Sequence, residues 1–254
     1  AFTFTLTGLV NGETASVLDS APTCTVSVAH GAPGTYPIVC AGGSDNNYNL
    51  ASYVNGTLTV TGVTTATFAD VPMTHWAWKY VETLYAFKIT GGCGTGPLVY
   101  CPAASVTRDQ MAVFLLKAKH GTSYTPPAVG ASTGFADVPV THWAAAWIKQ
   151  LAAESITTGC GGGNFCPSAA VTRDQMAVFL LKAKYGSSYT PPAVGASTGF
   201  ADVPTTYWAA AWIKQLAAES VTGGCGGGNY CPTGVVSRDQ MAVFLVKTFG
   251  LPTP

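Results

Sequence analysis

The chain has 254 residues, 48% of them hydrophobic and 9% charged, and its formal net charge is zero. That balance excludes a basic stripe for nucleic acid, and the apolar content argues for packed domains rather than disorder. No run of about 18 apolar residues occurs, so no membrane span is expected. A surface this poor in charge also gives copies of the chain little reason to repel one another. Ala1-Phe2-Thr3-Phe4 lacks the basic start of a secretion signal, so a leader has been removed or the chain belongs to a longer one.

Residues 1–62 read as a small all-β domain, sandwich-like in its strand pattern. Phe2-Thr3-Phe4-Thr5-Leu6 alternates apolar residues with Thr, the period of a half-buried strand. Val26-Ser27-Val28, Tyr36-Pro37-Ile38-Val39 and Thr57-Leu58-Thr59-Val60 follow the same rule. Turn signals separate them at Asn11-Gly12, Gly31-Ala32-Pro33-Gly34, Asp45-Asn46-Asn47 and Asn55-Gly56. Phe2, Phe4 and Leu6 have two readings. The strand pairs inside its own domain, or its open edge is a template for another copy of the chain.

From Phe68 the period changes and the sequence repeats. Phe68-Ala69-Asp70-Val71-Pro72 returns as Phe135-Ala136-Asp137-Val138-Pro139 and as Phe200-Ala201-Asp202-Val203-Pro204. Each copy continues through His75-Trp76, His142-Trp143 or Tyr207-Trp208, passes a Gly/Cys loop and closes on Arg-Asp-Gln-Met-Ala-Val-Phe-Leu. The copies divide the chain into 63–134, 135–199 and 200–254. Such repeats are supersecondary units that need neighbours to bury their apolar faces. In the second copy Trp143, Trp147, Ile148 and Leu151 have helical spacing, with Gly159 as the stop. A short strand pair is expected near Phe165. Thr172 with Gln175 forms a capping box for a second helix, and Thr107 with Gln110 and Ser237 with Gln240 repeat it. Asp174 adds first-turn charge. Tyr124-Thr125-Pro126-Pro127 and Tyr189-Thr190-Pro191-Pro192 are stiff connectors.

Eight cysteines fall in local pairs, Cys24/Cys40, Cys93/Cys101, Cys160/Cys166 and Cys225/Cys231. The gaps are too wide for a zinc knuckle, and no second ligand pair lies nearby. Disulfides are the expected state, which places the protein outside a reducing cytoplasm. No cofactor or metal is expected. Acidic runs for calcium, paired carboxylates for glycoside hydrolysis and a Lys-Ser/Thr after Gly161-Gly162-Gly163 or Gly226-Gly227-Gly228 are all missing. Of the histidines, His30, His75, His120 and His142, two share a repeat position that the third copy fills with Tyr207. A shared catalytic histidine would not lapse in this way.

The order Phe-x-Asp-Val-Pro, His-Trp-Ala, Gly-rich loop, aromatic-Cys-Pro and Thr-Arg-x-x-x-Ala resembles the S-layer homology (SLH) domain, in three copies over about 68–250. Residues 1–62 resemble the MBG-type β-domain of bacterial surface proteins, through Gly8 to Ala15, Gly34 to Ile38 and Tyr53 to Val60. The resemblance implies an α+β multidomain protein whose three helix-loop-helix repeats form one pseudo-threefold unit. It implies an extracellular, non-enzymatic protein of a prokaryotic cell surface. Such a protein polymerises with itself as a filament or layer, anchors to cell-wall polysaccharide, or does both. The alternative is a monomeric carbohydrate-binding module that attaches a larger surface protein to an acidic, pyruvylated polymer.

By that resemblance Arg108, Arg173 and Arg238 grip an acidic glycan, since a guanidinium offers a carboxylate two parallel donors. The plainer reading is that each arginine pins the Gly loop. Here Asp-Gln stands where the family usually has an acidic residue after Thr-Arg-Ala. Trp76, Trp143 and Trp208 either stack on sugar faces or fill the core. Asp70, Asp137 and Asp202 either line the groove or hold a loop.

Overall fold

The computed structural model describes residues 2–26, 28, 34–61 and 65–254. It separates into two compact units, residues 1–64 and 65–253. In the first, β1 (Thr23–Val26), β2 (Gly34–Ala41) and β3 (Gly56–Val60) form one antiparallel sheet in the order β1-β2-β3. β1 pairs with Ile38 to Ala41 and β3 with Gly34 to Ile38, so the flanking strands overlap only at Ile38. Pro37 therefore lies outside the stretch that β1 covers, where its missing N–H breaks no ladder on that side. Cys24 faces Cys40 in register and the two are joined by a disulfide, a staple suited to so small a sheet.

This unit is a single sheet among the described residues, not the expected sandwich. Phe2-Thr3-Phe4-Thr5-Leu6 enters no strand. Phe4 and Leu6 instead line, with Ile38, Leu50 and Tyr53, a cleft of about 640 Å³. Pro22 is the one buried side chain among the described residues of the unit, so no two-faced core exists to hold a second sheet. Asn11 and Gly12 make the expected turn with φ of 55° and 72°, and Asp45 closes an Asx turn onto the N–H groups of Asn47 and Tyr48. Gly56 begins β3 rather than turning. Ser27, His30 and the Gly31-Ala32-Pro33 turn lie outside the described residues.

The second unit holds six helices among the described residues: α1 (Trp78–Ala86), α2 (Arg108–His120), α3 (Ala145–Ala153), α4 (Arg173–Tyr185), α5 (Ala210–Ala218) and α6 (Arg238–Phe249). The long helices α2, α4 and α6 pack against one another. They bury Met111, Leu115, Met176, Leu180, Met241 and Leu245 completely. Each such side chain contributes about 1.5–3 kcal/mol. Each short helix packs on the long helix of the preceding repeat, α3 on α2 and α5 on α4. The first repeat has no predecessor, and α1 closes the circle by packing on α6. One repeat alone thus leaves the apolar faces of both its helices bare.

Backbone hydrogen bonds close the same circle. Val106 N–H donates to the carbonyl of Val236, Val171 N–H to Val106 and Val236 N–H to Val171, each at 2.9 Å. Beside them the long helices are capped from the next repeat. Arg108, Arg173 and Arg238 donate their N–H groups to Ala169, Gly234 and Ala104 at 2.9 Å. Asp109, Asp174 and Asp239 donate to Pro167, Pro232 and Pro102 at 3.0 Å. The first amides of a helix have no intrahelical partner, and leaving a buried one unmet costs about 1–3 kcal/mol.

This arrangement corrects the capping boxes. Thr107, Thr172 and Ser237 occupy the N-cap with extended backbone, but none caps through its side chain. Each hydroxyl bonds the following aspartate, Asp109, Asp174 or Asp239. That aspartate in turn accepts the N–H of Gln110, Gln175 or Gln240 at 2.7 Å. The glutamines are thereby freed from capping. Gly159 does not end α3 either: the helix ends at Ala153, with Ser155 left-handed at φ 53°. Near Phe165 there is a single backbone bridge, Gly161 to Asn164, instead of a strand pair.

Farther out, Glu154, just after α3, accepts from Lys119 at 2.6 Å and lies 2.7 Å from His120 Nε2, both on α2. Burial works to raise its carboxyl, but hydrogen bonds from Gln150, Lys119 and His120 outweigh it and hold the group below the usual carboxylate range. Its contribution is therefore present above the unfolded value and lost as pH falls through the folded one.

Because the circle closes through α6, removing the third repeat should cost more than its own contacts. A chain ending at residue 199 bares α4 toward α5, α1 toward α6 and the amide of Val106. We expect it to lose the cooperative thermal transition of residues 65–253, followed by circular dichroism. A two-repeat fragment melting within a few degrees of the whole unit would contradict the closed circle.

Candidate functional site

The start of each long helix faces the aromatic pair and Gly/Cys loop of the next repeat, which creates three equivalent seams. At the first seam, Arg108 donates Nε–H to the carbonyl of Phe165 at 2.7 Å. Its guanidinium lies 4.9 Å from the Phe165 ring and 5.5 Å from that of Phe179. At the second, Arg173 does the same to Tyr230, between the rings of Tyr230 and Phe244. At the third, Arg238 does so to Tyr100, between Tyr100 and Phe114. These arginines are 4–5% exposed. Burial lowers each guanidinium from its ordinary value, and nearby Asp137, Asp202 or Asp70 opposes the shift. They remain cations at any physiological pH.

The loop that receives the arginine is fixed by the aspartate of Phe-x-Asp-Val-Pro. Asp137 accepts the N–H groups of Phe165 and Cys166 at 2.7 and 2.6 Å. Asp70 and Asp202 do the same for Tyr100 and Cys101 and for Tyr230 and Cys231. Cys101, Cys166 and Cys231 are left-handed, with φ of 57–58°, a conformation that non-glycine residues hold only when over-determined. The aspartate clamp and the disulfides Cys93–Cys101, Cys160–Cys166 and Cys225–Cys231 supply that constraint. Gly159 and Gly224 have a related duty: a Cβ on either would fall 2.2 Å from the carbonyl of Asn164 or Asn229. Cys160 and Cys166 also lie near Asp137, but their sulfurs are joined and both carboxylate oxygens are occupied.

The tryptophans are not core. Trp76, Trp143 and Trp208 are 59, 62 and 60% exposed and precede their short helices rather than lying in them. Core filling falls to Ile148 and Leu151, and to Ile213 and Leu216 in the third repeat. What links the exposed pair to the helix start is the second residue of Arg-Asp-Gln, which sequence reasoning treated as a helix-dipole charge. Asp109 accepts from Trp143 Nε1 at 3.1 Å and lies 3.7 Å from His142 Nε2. Asp239 lies 3.9 Å from His75 Nε2, and Asp174 accepts from Tyr207 Oη at 2.6 Å. The signal was present in the sequence: Asp-Gln accompanies the aromatic pair in every copy. Tyr207 makes a hydrogen bond to that carboxylate, which the histidines approach only to 3.7 and 3.9 Å.

A comparison with protein-family models places an MBG domain (YGX type) at residues 1–59 and S-layer homology domains at 67–112, 134–177 and 199–242. The latter cover more than half of the chain, which belongs to the S-layer homology family. It is 30% identical to an endoglucanase of Bacillus sp. (strain KSM-635) over 46% of its length. It is 27% identical to a cellulosome-anchoring protein of Acetivibrio thermocellus over 56%, and 29% identical to S-layer protein EA1 of Bacillus anthracis over 49%. The matches span 11, 30 and 14% of those relatives' own lengths.

The donor reading of Tyr207 is open to test. Tyr207→Phe leaves an oxygen of the largely buried Asp174 without its partner and should cost about 1–3 kcal/mol. Tyr207→His places there the side chain of the other two seams, which stays 3.7–3.9 Å from its aspartate, and should recover only part of that loss. Denaturant melts of the two variants check this. Equal stability of Tyr207→Phe and the parent would remove the tyrosine from the seam's hydrogen bonding.

Proposed function

We propose that the chain is a non-enzymatic, extracellular structural module of a prokaryotic cell surface. It holds cell-wall polysaccharide at the seams of a pseudo-threefold repeat unit. The observation that carries this reading is that each seam holds a buried arginine whose neighbouring aspartate faces an aromatic pair with an exposed tryptophan. A flat aromatic face suits a sugar ring, and a guanidinium already oriented by a loop carbonyl suits an acidic substituent. The cyclic hydrogen bonds of the valines support the threefold relation. Four disulfides support an oxidising location. The cellulosome-anchoring relative supports anchorage, and the S-layer relative a place at a cell surface. The match to an endoglucanase covers 11% of that enzyme and lends no active site to this chain.

Binding is measured by co-sedimentation with purified, acid-extractable wall polysaccharide. Trp76→Ala, Trp143→Ala and Trp208→Ala combined should lower binding at least tenfold and leave the melting temperature almost unchanged, because the three indoles are exposed. Undiminished binding by the triple variant would remove the seams from recognition. The arginines are poorer probes, since their loss also unpins the loop.

A second reading, self-assembly, is favoured by a specific feature of the first unit. Residues 3–7 hold no backbone hydrogen bond among the described residues, while β1 and β3 each keep an outer edge. An unpaired alternating segment and an unpaired edge are complementary between two copies. Head-to-tail pairing that does not close would build a filament. Analytical ultracentrifugation of the full chain should then show concentration-dependent association that deletion of residues 2–7 abolishes. Association unaffected by the deletion would refute the strand route, and a monomer at high concentration would refute assembly.

A further inference from the structure

The formal net charge of zero is the sum of two opposite parts. Glu13, Asp19 and Asp45 are the acidic residues of the first unit, which has no Lys or Arg. The second unit therefore holds all 12 Lys and Arg residues and the other nine of the 12 acids, so the side chains carry −3 in the first unit and +3 in the second. Exposure sharpens the contrast. Every carboxylate of the second unit accepts a hydrogen bond within it, and none is exposed. Lys79, Lys88, Lys184 and Lys247 are exposed, and of these Lys184 alone has a carboxylate partner among the described residues, Glu219. A unit that spends its carboxylates on its own loops and helix starts turns a cationic surface outward.

Part of this charge is concentrated in the first repeat. The left-handed residue after the short helix is Ser155 in the second repeat and Ser220 in the third, but Lys88 in the first. Lys117 of α2 donates Nζ–H to the carbonyl of Lys88 at 3.2 Å. Lys88 and Lys117 line, with Tyr85 and Thr90, a cleft of about 460 Å³ that no carboxylate lines. The later repeats have Ala152 and Ala217 in place of Tyr85, which is 40% exposed. The carboxylates of the first unit are concentrated as well. Tyr48 Oη donates to Glu13, Asp19 accepts the N–H of Asn46 at 3.2 Å, and Asp45 accepts those of Asn47 and Tyr48 at 2.7 and 2.9 Å. The turn 45–48 thus gathers three carboxylates, and the unit has no Lys or Arg to meet them.

We propose that the cleft of Tyr85, Lys88 and Lys117 takes the first unit of a second copy, which enters with Glu13, Asp19 and Asp45. The two units are equal and opposite in charge, and complementary charge both speeds encounter and fixes which faces meet. The faces lie on different units, so a copy that has docked still offers a free cleft to the next, and the series runs head-to-tail. The Tyr85 ring supplies apolar area beside the ion pairs. This rests on the self-assembly reading above, but not on its strand route.

Sedimentation velocity of the full chain tests it. Association should weaken roughly tenfold or more between about 0.02 and about 0.5 M salt, as the screening length shortens from roughly 20 Å to about 4 Å. Lys88→Glu, at an exposed site, should weaken association roughly tenfold or more at low salt with the melting temperature almost unchanged. Lys88→Glu and Lys117→Glu combined with Glu13→Lys and Asp19→Lys reverse both faces and should recover most of that loss. Association indifferent to salt and to Lys88→Glu would overturn the docking surface and leave the strand route standing. A folded fourfold variant that recovers nothing would also overturn it. A monomer that grows more extended as salt is added would assign the two faces to one another within one chain and overturn it too. A monomer of one size at every salt concentration would remove the self-assembly reading and this one with it.

Discussion

The second unit depends on the way its long helices begin. The amides of Arg108 and Asp109, and of their counterparts, are satisfied by loop carbonyls of the following repeat. The ring of Val106, Val236 and Val171 runs beside them. A helix start is a set of unmet donors wherever it is buried, so no repeat can complete its own long helix. The apolar faces obey the same constraint, because each short helix covers the long helix of its predecessor. Polar and apolar terms therefore demand the same closed set of three, the agreement between levels that gives a sequence one structure.

The seams follow from that constraint. Whatever caps a helix start must come close to it, so the Gly/Cys loop of one repeat is pressed against the Thr-Arg motif of another. The loop must expose carbonyls inward, which requires left-handed residues at Cys101, Cys166 and Cys231. Disulfides and the aspartate clamps hold that backbone. The arginine then lies between two aromatic rings with its Nε spent on the loop. The arginine is thus structural at its Nε, and in Arg173 and Arg238 the terminal nitrogens also bond within the protein.

Much of this was legible in the sequence, for identifiable reasons. Repetition exposed the three copies, and local cysteine spacing exposed pairs that the structure joins. The N-cap positions of α2, α4 and α6 were visible because Thr-Arg-Asp-Gln precedes an apolar run. The partners of those helix starts were not, since a local rule cannot show that carbonyls of another repeat meet the amides of Arg108 and Asp109 and their counterparts. The tryptophans misled in the opposite way. Their spacing from Ile148 and Leu151 is helical, but α3 begins at Ala145 and leaves Trp143 on the rim. In the first unit the alternation of Phe2 to Leu6 suggested a strand, but the segment enters none of the sheet's three. Pairing is a tertiary matter, and the three strands have no buried side chain to offer it.

The central claim is that helix starts are completed by their neighbours, and native-state amide exchange measures it most directly. The amides of Val106, Val171 and Val236 belong to three different repeats and are separated by long stretches of chain. The closed ring predicts that they exchange with one common free energy, equal to that of unfolding residues 65–253. Protection of Val171 that survives while Val106 and Val236 exchange freely would contradict it, because each repeat would then be holding its own helix.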